Sequence, residues 1–509
     1  MNEKKEGTRV SLPFFELGVT WIDKWPHTLG IESWGKGVTM LIHVVTPGET
    51  LWQIASRYGV DFARLVAVNK LPDAGRLATG QALIIPSAAR QHTVESGETL
   101  WKIAQQYGAS VDSIMQANQL TNSSVINPGK VLYIPARTHT VQPGESLGQI
   151  AQNYGTTAQD IIEVNSIQNL NQVYSGTRLI MPFSKAIIDV YTYVINMGEK
   201  GADEVRKAGD SLTCMSPFSY VVRSDGELQP LDDQAIIQAA RFKGVLPVMC
   251  ITNFTYGDSG SDAAQTILAS TELQDKLLEN IVATIEQKRY RGLNINFENL
   301  YPTDRENYNQ FLQRAVNRLH EDDYFVSTAV APKTSAEQTG FLYEAHDYAA
   351  HGRIVDIVFL MTYEWGYRLG PPQAISPLNQ MRSVLEYAVT VIPRNKIFMS
   401  FQLYARDWLL PHVQGQEAET FDMQEAVQRA VKYKTTIQYD EMAQSPFYQY
   451  VDEQGKRHEV WFEDARSAQA KFNLVKEYGI RGIGYWVLGY PFPQNWALLN
   501  DQFRVRKRS

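Results

Sequence analysis

A chain of 509 residues with 44% hydrophobic and 20% charged residues is too long for one ordinary domain and has the make-up of a globular protein. Its formal net charge of −7 excludes the basic footprint that nucleic-acid binding through phosphates requires, and no apolar run of about 18 residues is present to span a membrane. Two cysteines, Cys214 and Cys250, cannot build a disulfide framework. The nine histidines show no metal-ligand spacing, so no metal and no cofactor are expected.

Residues 1–41 match nothing that follows. They are expected to be an extension without a fold of its own, with Met40 as a natural start. The next third of the chain is an internal repeat. Its copies open at His43-Val44-Val45, His92-Thr93-Val94 and His139-Thr140-Val141. They close at Ile85-Pro86, Ile134-Pro135 and Met181-Pro182. Gly48, Gly97 and Gly144 are spaced by 49 and then 47 residues, as are Asn69, Asn118 and Asn165. In each copy a short strand ends at a Gly-Glu turn, and Thr50, Thr99 or Ser146 then caps a helix. Gln53 and Gln149 complete a capping box in two copies. Leu51, Ile54, Ala55 and Tyr58 share one helical face. Gly59, Gly108 and Gly155 stop the helix. A second helix and a final strand complete a strand–helix–helix–strand unit over 42–86, 91–135 and 138–183.

These three copies resemble the LysM domain. The resemblance implies binding of N-acetylglucosamine polymers such as peptidoglycan or chitin. It implicates Gly48, Thr50 and Asn69 in glycan contact, with Gly97, Thr99, Asn118, Gly144, Ser146 and Asn165 as their counterparts. The glycine and hydroxyl positions are equally what the turn and the cap require. Gly148 stands where the other copies have Trp52 and Trp101, which predicts weaker packing or affinity in the third. Tandem weak sites on one polymer gain avidity through effective concentration.

From Ile187 onward the pattern changes. Apolar runs at Ile187–Ile195, Leu212–Val222, Val245–Phe254, Leu293–Asn299, Phe325–Ala331, Val355–Trp365, Ile397–Trp408 and Ile483–Leu488 alternate with helical stretches. Eight such strands predict a (β/α)8 TIM barrel over 187–509, an α/β fold. The interval 409–463 is too long for one connection and predicts a small α+β insertion after the seventh strand.

The run Gly292-Leu293-Asn294-Ile295-Asn296-Phe297-Glu298 alternates apolar and polar residues. Asn294, Asn296 and Glu298 therefore share one strand face, and amides and a carboxylate on a buried face need partners or a task. Barrel active sites form where strands end. Glu298 is at such an end, with Asn253, Tyr363, Glu364, Tyr404, Asp407 and Trp486 at others. Aromatic rings with one acid suit a glycan.

This half resembles glycoside hydrolase family 18. The family's Asp-Gly-x-Asp-x-Asp-x-Glu corresponds to Arg291–Glu298, its Met-x-Tyr-Asp to Met361-Thr362-Tyr363-Glu364, and its eighth-strand Trp to Trp486. Phe401–Trp408, Tyr439–Glu441 and His458–Asp464 resemble the LysM-bearing germination enzymes of the cortical-fragment-lytic type. The resemblance implies that Glu298 is the general acid and base, that Tyr363 positions the acetamido oxygen, and that Trp486 floors the −1 sugar. Asn294, Glu364, Tyr404, Asp407 and Asn253 are further substrate-binding candidates. Asn296 stands where the family has a helper Asp, and losing that charge costs about 3 kcal/mol, or about 10²-fold in rate. The expected activity is an N-acetylglucosaminidase acting on spore cortex or cell-wall glycan. A lectin-like glycan-binding protein and a chitinase are the alternatives. The resemblance further implies a spore or wall location, reached from the mother-cell cytoplasm. The basic tail Arg504–Arg508 is expected to be solvated.

Overall fold

The computed structural model describes residues 40–507, apart from 87–89, 95, 108, 122–125, 166, 168, 170–172, 183–184 and 256. The expectations for residues 1–39 and for Gly108 lie outside the described residues.

Each repeat folds as two antiparallel strands and two helices. In the first copy, Leu41–Val44 pairs with Ala82–Ile85, and helices span Leu51–Tyr58 and Phe62–Asn69. Thr50 and Ser146 both form capping boxes, each satisfying two helix-end donors. Leu51, Ile54 and Ala55 are buried, as the helical face requires. A polar cluster recurs in all three copies. His43 bonds Glu49 at 2.8 Å and the Tyr58 hydroxyl at 3.1 Å. His92 does the same with Glu98 and Tyr107, and His139 with Glu145 and Tyr154.

The repeat asparagines serve the fold. Asn118 donates to the Ile114 carbonyl at 2.7 Å and the Tyr133 carbonyl at 2.6 Å, and it accepts from the Tyr133 amide at 2.6 Å. Asn69 and Asn165 make the same three bonds. Each pins the second helix to the closing strand, which corrects the expectation that these side chains face glycan. Trp52 and Trp101 are 69% and 60% exposed. Gly148 therefore costs the third copy no packing; it removes a surface ring.

The second half is a closed barrel of eight parallel strands. The first strand (Ala186–Val194) lies between the second (Cys214–Pro217) and the eighth (Gly482–Trp486). The eighth, seventh (Ile397–Gln402), sixth (Ile357–Leu360), fifth (Phe325–Val330) and fourth (Gly292–Asn296) strands then follow in register. The third is interrupted at Val248. Leu246–Pro247 pairs with the second strand and Met249–Thr252 with the fourth, and this closes the ring. Leu293, Ile295 and Phe297 face the outer helices and are fully buried. Tyr191, Tyr193, Cys250, Phe359 and Phe398 fill the interior.

The insertion starts earlier than its spacing predicts. Tyr404–Leu410 is not a continuation of the seventh strand but belongs to a five-stranded antiparallel sheet with Glu419–Asp422, Gln438–Asp440, Ser445–Val451 and Arg457–Trp461. A helix, Met423–Lys432, packs on it. The basic tail is anchored rather than solvated. Phe503–Val505 pairs with the first barrel strand, and Arg506 and Arg481 converge on buried Asp189 at 3.0 and 2.9 Å.

Asn118→Ala removes three bonds and leaves the Tyr133 amide unpaired. It is expected to destabilise the second repeat by about 1–3 kcal/mol. Trp101→Ala is expected to leave its unfolding midpoint unchanged. Thermal denaturation followed by circular dichroism of both variants checks this.

Candidate active site

The fourth strand delivers polar groups to the barrel interior in successive layers. Asn294, at mid-strand, is completely buried. It accepts from the Tyr193 hydroxyl at 3.0 Å and donates to Ser327 Oγ at 2.9 Å. It joins the first, fourth and fifth strands below the cleft, so its bonds are already filled by the barrel itself. Asn296 sits one layer higher and is 2% exposed. Its side-chain amide bonds the Glu298 carboxylate, while its Oδ1 is buried and unpartnered. A buried acceptor without a donor costs free energy.

Glu298 lies two residues beyond the strand end and is half-buried. Its backbone is held on both sides. The Glu298 amide donates to Asn253 Oδ1 at 2.8 Å, and Asn253 Nδ2 donates to the Glu298 carbonyl at 2.7 Å. The Phe297 carbonyl accepts from His346 Nε2 at 2.9 Å. His346 Nδ1 accepts from the Ala331 amide at 2.9 Å, which fixes the proton on Nε2. Burial holds His346 neutral by lowering its pKa to about 4. The Asn299 carbonyl accepts from Ser261 Oγ at 2.6 Å. On the outer side, the Phe297 ring stacks on Tyr308 and Phe311.

Desolvation raises the Glu298 pKa from the usual 4.5 to about 7. The Asn296 bond opposes the shift, and the charge of Glu364 adds to it. The carboxyl thus holds its proton near neutrality, as a general acid must. Tyr363 follows the sixth strand. Burial, then the charges of Glu298 and Glu364, raise its phenol well above 10, so it remains a donor. Its ring lies parallel to Trp486, 6.3 Å away with 6° between planes. Trp486 ends the eighth strand and is braced edge-on by Phe218 at 4.8 Å and Tyr193 at 5.5 Å.

Glu364 has a left-handed backbone (φ 68°). It accepts from the Tyr404 hydroxyl and from Arg406 Nη2, the latter at 2.8 Å. Tyr404, 3% exposed, therefore stands behind Glu364. Asp407 does not approach the cleft. It is buried inside the insertion, accepting from His458 Nδ1 at 2.9 Å, Tyr450 at 2.6 Å and Arg429 at 2.9 Å. Asp440 caps a local turn through the Met442 and Ala443 amides.

The strand ends thus bring together Glu298, Asn296, Tyr363, Glu364 and Trp486, with Asn253 behind the acid. His346 and Arg406 complete the support and were not anticipated. Neither belongs to a recognisable motif, although a lone cation two residues after Tyr404 in an apolar stretch was a usable sign for Arg406.

A parallel barrel with a carboxyl of raised pKa at its fourth strand end, beside a Tyr and a Trp, defines a glycosidase-type site. The glycosyl hydrolases family 18 model matches residues 256–490, and the LysM domain model matches 43–86, 92–135 and 139–182. The cortical fragment-lytic enzyme of Bacillus subtilis strain 168 is 44% identical over 335 residues, covering 64% of this chain and 77% of that protein. The crystal structure of the Bacillus megaterium QM B1551 spore cortex-lytic enzyme SleL superposes with a TM-score of 0.74 at 35% identity, covering 93% of this chain and all of that one. The Bacillus cereus SleL structure gives 0.74 at 36%, covering 92% of this chain and 100% of that one. The chain belongs to glycoside hydrolase family 18 and carries three LysM domains.

A raised acid pKa means that the protonated form is complete below about pH 6 and is lost as pH rises through about 7. The expected kcat/KM profile therefore falls above pH 7. Asn253→Ala releases both bonds to the Glu298 backbone. It is expected to lower kcat by about 10²-fold, with a smaller change in KM. Steady-state kinetics across pH 5–9 on both proteins checks these outcomes.

Proposed function

We propose that this protein is an N-acetylglucosaminidase that cleaves spore cortex or cell-wall glycan by substrate-assisted hydrolysis with retention. The observation that carries the reading is the Glu298 carboxyl at the fourth strand end, its pKa raised to about 7 by desolvation, bonded by Asn296, whose buried Oδ1 is unpartnered. Glu298 gives its proton to the glycosidic oxygen as the bond from the anomeric carbon breaks. The substrate's own acetamido oxygen closes on that carbon and forms an oxazolinium. Asn296 Oδ1 accepts the acetamido N–H, and the Tyr363 hydroxyl donates to the acetamido oxygen and holds it for attack. Water then adds to the anomeric carbon and gives its proton to the Glu298 carboxylate, reopening the acetamide and restoring the acid. No second carboxylate attacks, in contrast to the usual two-carboxylate scheme. Trp486 supplies the face on which the −1 sugar rests.

The substrate follows from two supports: the sequence likeness to cortex-acting enzymes over the barrel and three peptidoglycan-binding domains in front of it. The same supports favour a spore or wall location. They do not favour a lectin-like module, since Glu298, Tyr363 and Trp486 are all retained with their supporting bonds.

Cortical fragments incubated with the protein are expected to release products with a reducing N-acetylglucosamine end, seen by mass spectrometry after borohydride reduction. Glu298→Gln is expected to abolish release, and Asn296→Ala to lower it by about 10²-fold through loss of a transition-state hydrogen bond. Release that survives Glu298→Gln overturns the assignment of the acid.

A further inference from the structure

The first repeat is fused to the barrel. Its residues Ala78, Ala82 and Ile84 are part of the barrel's main core, which contains no described residue of the second or third repeat. Gln494 donates to Asn69 Oδ1 and the Ala82 carbonyl, both at 2.9 Å. The Ile437 amide donates to the Thr79 carbonyl at 2.9 Å, and Arg466 reaches the Gly80 carbonyl at 3.2 Å. At Gly80 (φ 83°) a Cβ would stand 1.9 Å from the Ile437 carbonyl oxygen, whereas the equivalent Gly129 and Gly176 face open space. Among the described residues, backbone meets the barrel's backbone only in the first copy, and only glycine permits it.

This docking leaves a cavity of about 840 Å³ between the two domains. One wall is the turn around Thr46 and Gly48 together with the loop Leu71–Leu77 of the first repeat. The other is the insertion helix Met423–Lys432, through Gln424, Val427, Gln428 and Val431. The volume lies in the range of ligand-holding pockets, roughly 300–1,000 Å³. The lining combines apolar groups (Leu71, Val427, Val431) with hydroxyl and amide groups (Thr46, Gln424, Gln428), and charged side chains such as Asp73 and Lys434 also reach it. A saccharide has the same make-up: apolar ring faces and acetamido methyls between hydroxyls and amides.

We propose that this cavity is a composite glycan site, in which an N-acetylglucosamine-containing segment contacts the first repeat and the barrel insertion at once. This rests on the glycan reading above. Because both walls are rigidly joined, a glycan held there keeps a fixed position relative to the catalytic cleft. All three repeats have small cores of their own, but among the described residues only the first also contributes to the barrel's core. The first therefore acts as a subsite of the enzyme, and its occupancy raises the effective concentration of chain at the cleft.

The test uses the full chain carrying Glu298→Gln, so that binding is read without cleavage, and tetra-N-acetylglucosamine as the probe. Hydrogen–deuterium exchange is measured with and without the probe. The expected result is protection of 71–77 and 423–432 together. Gln428 is exposed and lines the cavity, so Gln428→Trp is expected to obstruct the space between the two walls without changing the unfolding midpoint, and to abolish protection of both segments. Protection of 71–77 that persists in Gln428→Trp, with 423–432 unaffected, overturns the proposal, because the first repeat then binds alone. Protection confined to the other two repeats, or absent everywhere, overturns it as well. Failure of the catalytic reading shows itself separately, as no release of cortical products by the wild type.

Discussion

A carboxyl group ionises near pH 4 unless water is kept from it, and the proposed chemistry of this barrel depends on keeping Glu298 from doing so. Partial burial is easy to arrange inside a barrel mouth; burial at a fixed point is not, because the strand has already ended two residues earlier. The backbone there has lost its ladder partners and would leave its polar groups exposed to a dry site. Side chains from neighbouring strand ends replace the ladder. Asn253 takes the Glu298 amide and carbonyl, His346 takes the Phe297 carbonyl, and Ser261 takes the Asn299 carbonyl. Each donor is itself fixed by a second bond or by burial. The acid is thus positioned by strand-end hydrogen bonds rather than by strand pairing, and those bonds require polar residues in an otherwise apolar rim.

The same economy governs the repeats. A unit of about 45 residues has little core, so each copy supplements its apolar contacts with a His–Glu–Tyr cluster and an Asn pin. In Glu49, burial opposes ionisation, but bonds from Thr46 and His43 prevail and hold the carboxyl at about 2. Its contribution to stability is complete above about pH 4.5 and fades as pH falls toward 2. Residues occupied in this way are removed from ligand contact. The exposed Trp52 and Trp101 rings lie outside these bonds. In the first copy, the turn at Thr46–Gly48 and the loop Leu71–Leu77 line the cavity shared with the barrel insertion.

Periodicity made the architecture legible. The apolar alternation of Leu293, Ile295 and Phe297 is the outer core, and the polar set on the other face is the interior and the site. What periodicity could not show is where one strand gives way to another. Ile397–Trp408 contains no glycine or proline and reads as one strand. Leu403 instead bonds the Trp486 carbonyl, and the chain turns into the insertion. Tyr404 and Asp407 were displaced from the cleft for that reason. Asn253 was legible as a strand-end polar residue, but whether its amide meets a sugar or a backbone depends on the neighbouring strand. His346 is distant in sequence from everything it supports. The tail's anchoring is not legible in the sequence, because its charge is local information while the buried Asp189 that draws Arg506 lies on the first barrel strand.

The amide at position 296 has a consequence for how this site titrates. Two carboxyls two residues apart on one strand face would share a proton, and their pKa values would belong to the pair. With Asn296 the nearest neighbour is neutral at every pH and donates to the carboxylate. It lowers the Glu298 pKa rather than raising it. The shift to about 7 therefore comes from desolvation, with the more distant Glu364 charge adding to it. Glu364 itself accepts hydrogen bonds from Arg406 and Tyr404. This chain keeps its acid protonated by excluding water instead of by coupling it to a second acid. The support around Glu298 follows from that substitution: without an adjacent carboxylate to hold the proton, any loosening that admits water to the strand end removes the acid form directly.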